Sequence, residues 1–198
     1  MTPTSAWRLR ATARHLARRL SGQCTEGVAA IEFAMLVPVY LLLLVGMVDM
    51  GGMLYSSYQL ESAVAAGSEY AAVNAANVNG TSGATLASSV AGIVENANGS
   101  ASANNTVVVN NGPAVTVTGG SASSGGTATN ANSCYCPTGS PPNWSWGSAA
   151  TCGSTCGSGG QAGKFVTITA SVAYSPLLST FGLIKNGTLT QNATVQVQ

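Results

Sequence analysis

The chain has 198 residues, of which only 7% are charged, with a net charge of +1 at pH 7 and an abundance of Gly, Ala, Ser, Thr and Asn. That length suits one domain with its attachments, and the low charge sets the chain apart from a typical cytosolic enzyme, in which about a quarter of residues are charged. The near-neutral total hides an asymmetry: Arg8, Arg10, Arg14, Arg18 and Arg19 precede the first hydrophobic run, and only Lys164 and Lys185 follow it.

That run begins at "EGVAAIEFAMLVPVYLLLLVG" (26–46). No charged residue lies between Glu32 and Asp49, and apolar flanks extend it from Val28 to Tyr55. As a helix it covers about 40 Å, enough to cross a hydrocarbon core about 30 Å thick with some tilt. Arginines ahead of the span put the N-terminus in the cytoplasm by the positive-inside rule and place everything beyond Tyr55 outside. Glu32 is the anomaly, because an acid at the centre of an inserted helix costs roughly 2.5–3.5 kcal/mol. No Lys or Arg lies within a helical turn of it.

Three conventional N-terminal signals fit poorly. A secretory signal peptide needs a small-residue site directly after the apolar run, but Ala63-Val64-Ala65 comes too late. A mitochondrial presequence accounts for the Arg-rich, acid-poor residues 1–25 and nothing after them. "LSGQC" (20–24) resembles a lipoprotein box, yet its apolar region follows the cysteine instead of preceding it. Cleavage between Gly27 and Val28 explains more: the basic leader is lost, the helix stays, and Glu32 becomes the fifth residue of the new chain. Cleavage also creates an α-amino group. In a low-dielectric medium that amine, on a neighbouring subunit, and a carboxylate stabilise each other.

A basic leader, Gly27, Glu32 and Phe33 ahead of an unbroken apolar helix together resemble the prepilin signature. The stretch 27–72 is further similar to TadE-like pseudopilins of the tight-adherence (Flp) pilus system. The matching residues are Ala30-Ile31-Glu32-Phe33-Ala34, Pro38, the leucines 41–44, Gly46, Asp49, Gly51, Leu60, Ala63 and Gly67. One departure is Gly52, where that family commonly has arginine. The resemblance implies processing by a prepilin peptidase at Gly27/Val28, with Glu32, Phe33, Pro38 and Asp49 as assembly positions. Its implied partners are other pilins or pseudopilins, Tad inner-membrane components and the lipid bilayer. The implied location is the bacterial inner membrane, with the C-terminal domain periplasmic or extracellular and the chain in or beside a pilus.

Residue chemistry leaves simpler roles open at some of these positions. Pro38 withholds a hydrogen bond from the carbonyl of Ala34 and kinks the axis. Asp49 reads either as a snorkelling acid at the outer interface or as an assembly contact. Ala63, Gly67, Ala71 and Ala75 recur every fourth residue and form a stripe that permits close helix approach. The stripe suits an intersubunit seam or packing against the chain's own domain.

Beyond a stalk helix (56–79), Asn79-Gly80 ends the periodicity. A second amphipathic helix then carries Leu86, Val90, Ile93, Val94 and Ala97 on one face, with Gly99 just past its end. Strands follow at 106–109 and 114–118, flanking an "NNGP" turn. Residues 165–174 alternate, with Val166, Ile168, Ala170, Val172 and Tyr174 on one face against Phe165, Thr167, Thr169 and Ser171. Residues 188–197 put Leu189, Ala193, Val195 and Val197 inward. These elements predict an α+β fold: a leader (1–27), a transmembrane helix (28–55), the stalk, and an α+β domain (80–198) with an antiparallel sheet of about four strands. The final strands, joined by "SPLLSTFGLIKNG", again resemble TadE-like chains.

The stretch 119–163 is uncharged, Gly- and Ser-rich, and reads as one long loop bearing Cys134, Cys136, Cys152 and Cys156 with Trp144 and Trp146. Loss of the leader removes Cys24 and leaves an even set, which outside the cytoplasm reads as two disulfides. A Cys134–Cys136 bridge would be strained, so the bridges cross between the pairs and hold the tryptophans at the tip of a water-facing loop. Zinc is the alternative, although C-x-C and C-x3-C depart from the usual C-x2-C spacing. Enzymatic chemistry is not expected. The sole histidine, His15, lies in the leader, while Glu61, Glu69 and Glu95 sit singly on helical patterns. No phosphate-binding loop, cofactor site or nucleic-acid surface is apparent, and the leader arginines are topogenic. Two function classes remain: a pseudopilin-like structural protein of pilus assembly, or a membrane-anchored binding or adhesion module that presents the disulfide-tied aromatic loop.

Overall fold

The computed structural model describes residues 24–99, 103–140, 143–177 and 187–198. The arginine leader, the "LSGQ" residues and most of "SPLLSTFGLIKNG" lie outside the described residues. The chain divides into two units between Val48 and Asp49.

The first unit contributes the N-terminal part of helix α1 (Cys24–Val73), which continues through Pro38. Ile31, Phe33, Met35, Leu36, Val39, Leu43 and Met47 are each more than half exposed. A helix that is apolar around its circumference belongs in lipid or inside an assembly. Among the described residues, α1 is the one helix long and apolar enough to cross a membrane.

In the second unit the apolar positions of α1 narrow to one stripe. Leu60, Ala63, Val64 and Ala71 are buried there. Residues 56–79, expected as a stalk, therefore belong to the domain's core. The chain leaves α1 through a short 3-10 turn (Ala75–Asn77). The side chain of Asn79 then accepts hydrogen bonds from the backbone N–H groups of Thr81 and Ser82, at 2.9 and 2.8 Å. This turn starts helix α2 (Gly83–Asn98), which ends on Gly99 in the left-handed region at φ 60°. The buried face of α2 is Leu86, Ala87, Val90, Ala91 and Val94. It is rotated from the expected one, since Ile93 is only half-buried and Ala97 is exposed.

Strands β1 (Ala103–Val109) and β2 (Ala114–Thr118) form a hairpin through Asn110 and Asn111. Both of these residues have positive φ, 50° and 54°, as a tight hairpin turn requires. With β3 (Ser121–Gly125), β8 (Phe165–Tyr174) and β9 (Gly187–Gln196) they build an antiparallel five-stranded sheet in the order β3-β2-β1-β8-β9. The sheet has one strand more than expected. That strand, β3, comes from the segment read as loop, and every one of its residues is exposed. Between β3 and β8 lie a 3-10 turn (Ala128–Asn132) and four short strands: β4 (Cys134–Tyr135), β5 (Thr138–Ser140), β6 (Asn143–Ser145) and β7 (Ala149–Ala150). They pair as β4 with β7 and β5 with β6.

One face of the sheet packs on both helices. Val107, Val109, Val115, Val117, Val166, Ile168, Ala170 and Val172 join the helical stripe in one cluster, with Leu189, Ala193 and Val197 at its margin. Full burial of a Leu60 or an Ile168 contributes about 1.5–3 kcal/mol each. The small-residue stripe thus packs inside its own domain. At Gly67 an added Cβ would lie 2.7 Å from Val94 Cγ2 and 3.3 Å from Ile168 Cδ1. Gly67→Ala is expected to destabilise the domain by about 1–2 kcal/mol, because overpacking outweighs the gain in helix propensity. Thermal denaturation of the two proteins checks this. A stabilised variant would show that the helices separate at no cost.

Candidate functional site

The proposed cleavage bond, Gly27–Val28, lies within α1. Downstream of it Glu32 and Pro38 are exposed, and Phe33 is 70% exposed. The carboxylate and the aromatic ring therefore stand at the head of an apolar helix, open to a partner.

Asp49 differs. It is 5% exposed, and its Oδ1 accepts a hydrogen bond from the backbone N–H of Leu177 at 2.8 Å. Its carbonyl accepts one from the Tyr174 hydroxyl at 2.6 Å. Asp49, read as a snorkelling acid or an assembly contact, instead ties the end of β8 to α1. Burial of a carboxylate is sustained by such donors. Gly52 belongs to the same contact, for a Cβ there would sit 3.3 Å from the Tyr174 hydroxyl. Neither partner could be found by pattern, since Tyr174 and Leu177 lie 125 and 128 residues away in sequence.

The cysteines pair across, Cys134 with Cys152 and Cys136 with Cys156, at Cα–Cα distances of 5.1 and 5.6 Å. This pairs the sulfurs of all four lobe cysteines with one another, so these four do not serve as zinc thiolates. Cys134, Cys156 and Ala162 form a small second core, with Cys136 and Ala150 against it. The lobe is fastened to the sheet by Asn110, which is fully buried. The Asn110 Nδ2 donates to the carbonyls of Ala131 and Ser133, while its Oδ1 accepts from Phe165 N–H. A backbone bridge joins Tyr135 to Gly163 as well.

The tryptophans do not stand at a water-facing tip. Both are half-buried. Trp146 lies between Tyr135 and Phe165, with ring centroids 5.9 and 6.3 Å away. Trp144 lies against the outer face of β1, β8 and β9. The reason is physical: each indole carries a large apolar area, and the lobe's attachments bring both rings within reach of the sheet.

Two features thus stand apart, an exposed carboxylate on an apolar helix and a disulfide lobe folded over a sheet. Comparison with protein families bears on the first. Residues 27–69 match the TadE-like protein family. No curated protein and no solved structure matches the chain. The TadE-like segment starts at Gly27, takes in Glu32, Phe33, Pro38 and Asp49, and ends two residues beyond Gly67. It takes in most of the helix that is long and apolar enough to cross a membrane. The sheet and the disulfide lobe lie beyond the TadE-like match, as do the final strands.

Proposed function

We propose that the protein is a pseudopilin-like, non-catalytic structural component of tight-adherence pilus assembly. It inserts in the bacterial inner membrane with its N-terminus in the cytoplasm and its α+β domain outside. A prepilin peptidase removes the leader after Gly27, and the new α-amine at Val28 pairs with Glu32 of a neighbouring pilin or pseudopilin. The observation that carries this proposal is the exposure of Glu32 at the head of an apolar helix whose side chains the chain leaves uncovered. The TadE-like match over the same residues supports it. Disulfides in the C-terminal lobe favour an oxidising compartment for that domain.

The proposal predicts that affinity-purified protein from gently solubilised membranes carries pilins and Tad inner-membrane components with it. Purification of the protein with none of them, from cells that make the pilus, contradicts an assembly role.

A further inference from the structure

Asp49 is the only charged residue from Phe33 to Leu60, and its side chain is turned inward. It is buried, with its Oδ1 accepting from the Leu177 N–H and its carbonyl from the Tyr174 hydroxyl. The turns of α1 that follow divide into two faces. Met53, Ser56 and Ser57 are half-buried and Leu60 is buried on the side of the domain, where Gln191 of β9 reaches Ser57. Met50, Leu54, Tyr55 and Tyr58 are exposed on the other side. The first charged side chain that α1 exposes after Glu32 is Glu61. Outward, the helix is therefore uncharged well past Asp49.

This moves the outer border of the span. About 20 residues cross a hydrocarbon core, so a span beginning at Phe33 ends near Gly52. Asp49 then lies at lipid level, where an acid is expected to be paired off inside the protein. Tyr55 and Tyr58 fall one to two turns above Gly52, at the headgroup level in which tyrosine is enriched.

The hydrogen bond from Leu177 to Asp49 carries the end of the domain to the same level. Leu177 is 73% exposed, and among the described residues it is the one large apolar side chain outside α1 that is exposed. A single exposed leucine is ordinary on a soluble surface. What distinguishes this one is its tether to a buried acid within the span. Its surroundings are uncharged too: Ala173, Tyr174, Ser175 and Pro176 precede it, and Lys164 stands at the opposite end of β8, about 30 Å away along the strand.

We propose that this end of the domain is a lipid-binding surface. Leu177, together with Met50, Leu54, Tyr55 and Tyr58 of α1, contacts phospholipids of the outer leaflet. The α+β domain thus sits down in the headgroup layer instead of standing clear of it on a stalk. The inference rests on the reading of α1 as a membrane span and adds a second contact to it. Phospholipid fits because the surface is uncharged, lies level with the end of the span and is bordered by tyrosines. A water-soluble partner would have to enter the headgroup layer to reach Leu177.

Photo-crosslinking of the full chain in vesicles of phosphatidylethanolamine and phosphatidylglycerol, at low protein-to-lipid ratio, tests this. Leu177, Leu43 and Ser158 are replaced in turn by benzoylphenylalanine. All three are exposed, so the fold tolerates the probe. Leu43 lies within the span, and Ser158 lies in the disulfide lobe, which is fastened at the Phe165 end of β8. Mass spectrometry then counts lipid adducts. The probe at 177 is expected to give at least about ten-fold more of them than the probe at 158, as for a side chain seated in the headgroup–acyl boundary. Lipid adducts at 43 without any at 177 overturn this inference and leave the span standing. Their absence at both positions overturns the span and the inference together. Adducts from 177 to a second copy of the chain in place of lipid also overturn it.

Discussion

Glu32→Ala is expected to leave the protein inserted and processed, yet to lower its incorporation into pilus assemblies roughly a hundred-fold. The leader arginines and Gly27 are untouched, so topology and cleavage persist. What changes is the fate of the α-amine on the neighbouring subunit, which is left in an apolar medium without a counter-charge. Breaking a buried ion pair by removing one partner costs about 3–5 kcal/mol, and roughly 1.4 kcal/mol is a factor of ten. Quantitative immunoblots of membrane and sheared-pilus fractions measure the split. Glu32→Asp, which keeps the charge but shortens the reach, should recover part of the yield. Equal pilus-associated protein in wild type and Glu32→Ala would remove the pairing from the mechanism.

The second large effect concerns the disulfide lobe. The bridges span 18 and 20 residues, and each restrains the unfolded chain by about 3 kcal/mol in the loop-entropy model. Within the lobe, the cysteines themselves make up most of its small core. Replacing Cys134, Cys136, Cys152 and Cys156 with serine removes about 3–6 kcal/mol, less than two full terms because the loops interleave, and still a large share of a modest domain's stability. The lobe should then open while the helix–sheet core survives. Limited proteolysis should cut between residues 126 and 163, and Trp144 and Trp146 fluorescence should shift to the red. Protease resistance equal to that of wild type would show that backbone pairing alone maintains the lobe.

The parts of the fold that were legible in the sequence share a cause: their pattern is written locally. The uncharged run from Glu32 to Asp49 announces α1, and alternation announces β8, whose Val166, Ile168, Ala170 and Val172 are buried as expected. Cross-pairing of the cysteines followed from spacing and compartment. Strand β3 was invisible because an edge strand exposed on both faces has no alternation to show. The face of α2 was misjudged by its alanines. Ala87 and Ala91 carry weak hydrophobic signal, so the larger Ile93 drew the expected face toward itself although the two alanines are the buried residues.

The remaining surprises depend on long-range closure, which sequence pattern does not encode. Asp49 looked like an isolated acid and is a clamp on Tyr174 and Leu177. The tryptophans looked exposed because their segment is polar and glycine-rich. Where such a segment lands is decided by its attachments, here Asn110, the Tyr135–Gly163 bridge and two disulfides.

Everything said of Glu32 as a pairing residue presumes that its partner amine is created by cleavage after Gly27. Mass spectrometry of the N-terminal peptide from membrane-extracted protein, taken from cells that assemble the pilus, tests that presumption most directly. A first residue of Val28, with a free α-amino group, is the expected result. An intact Met1, or a new terminus anywhere other than Val28, would contradict it.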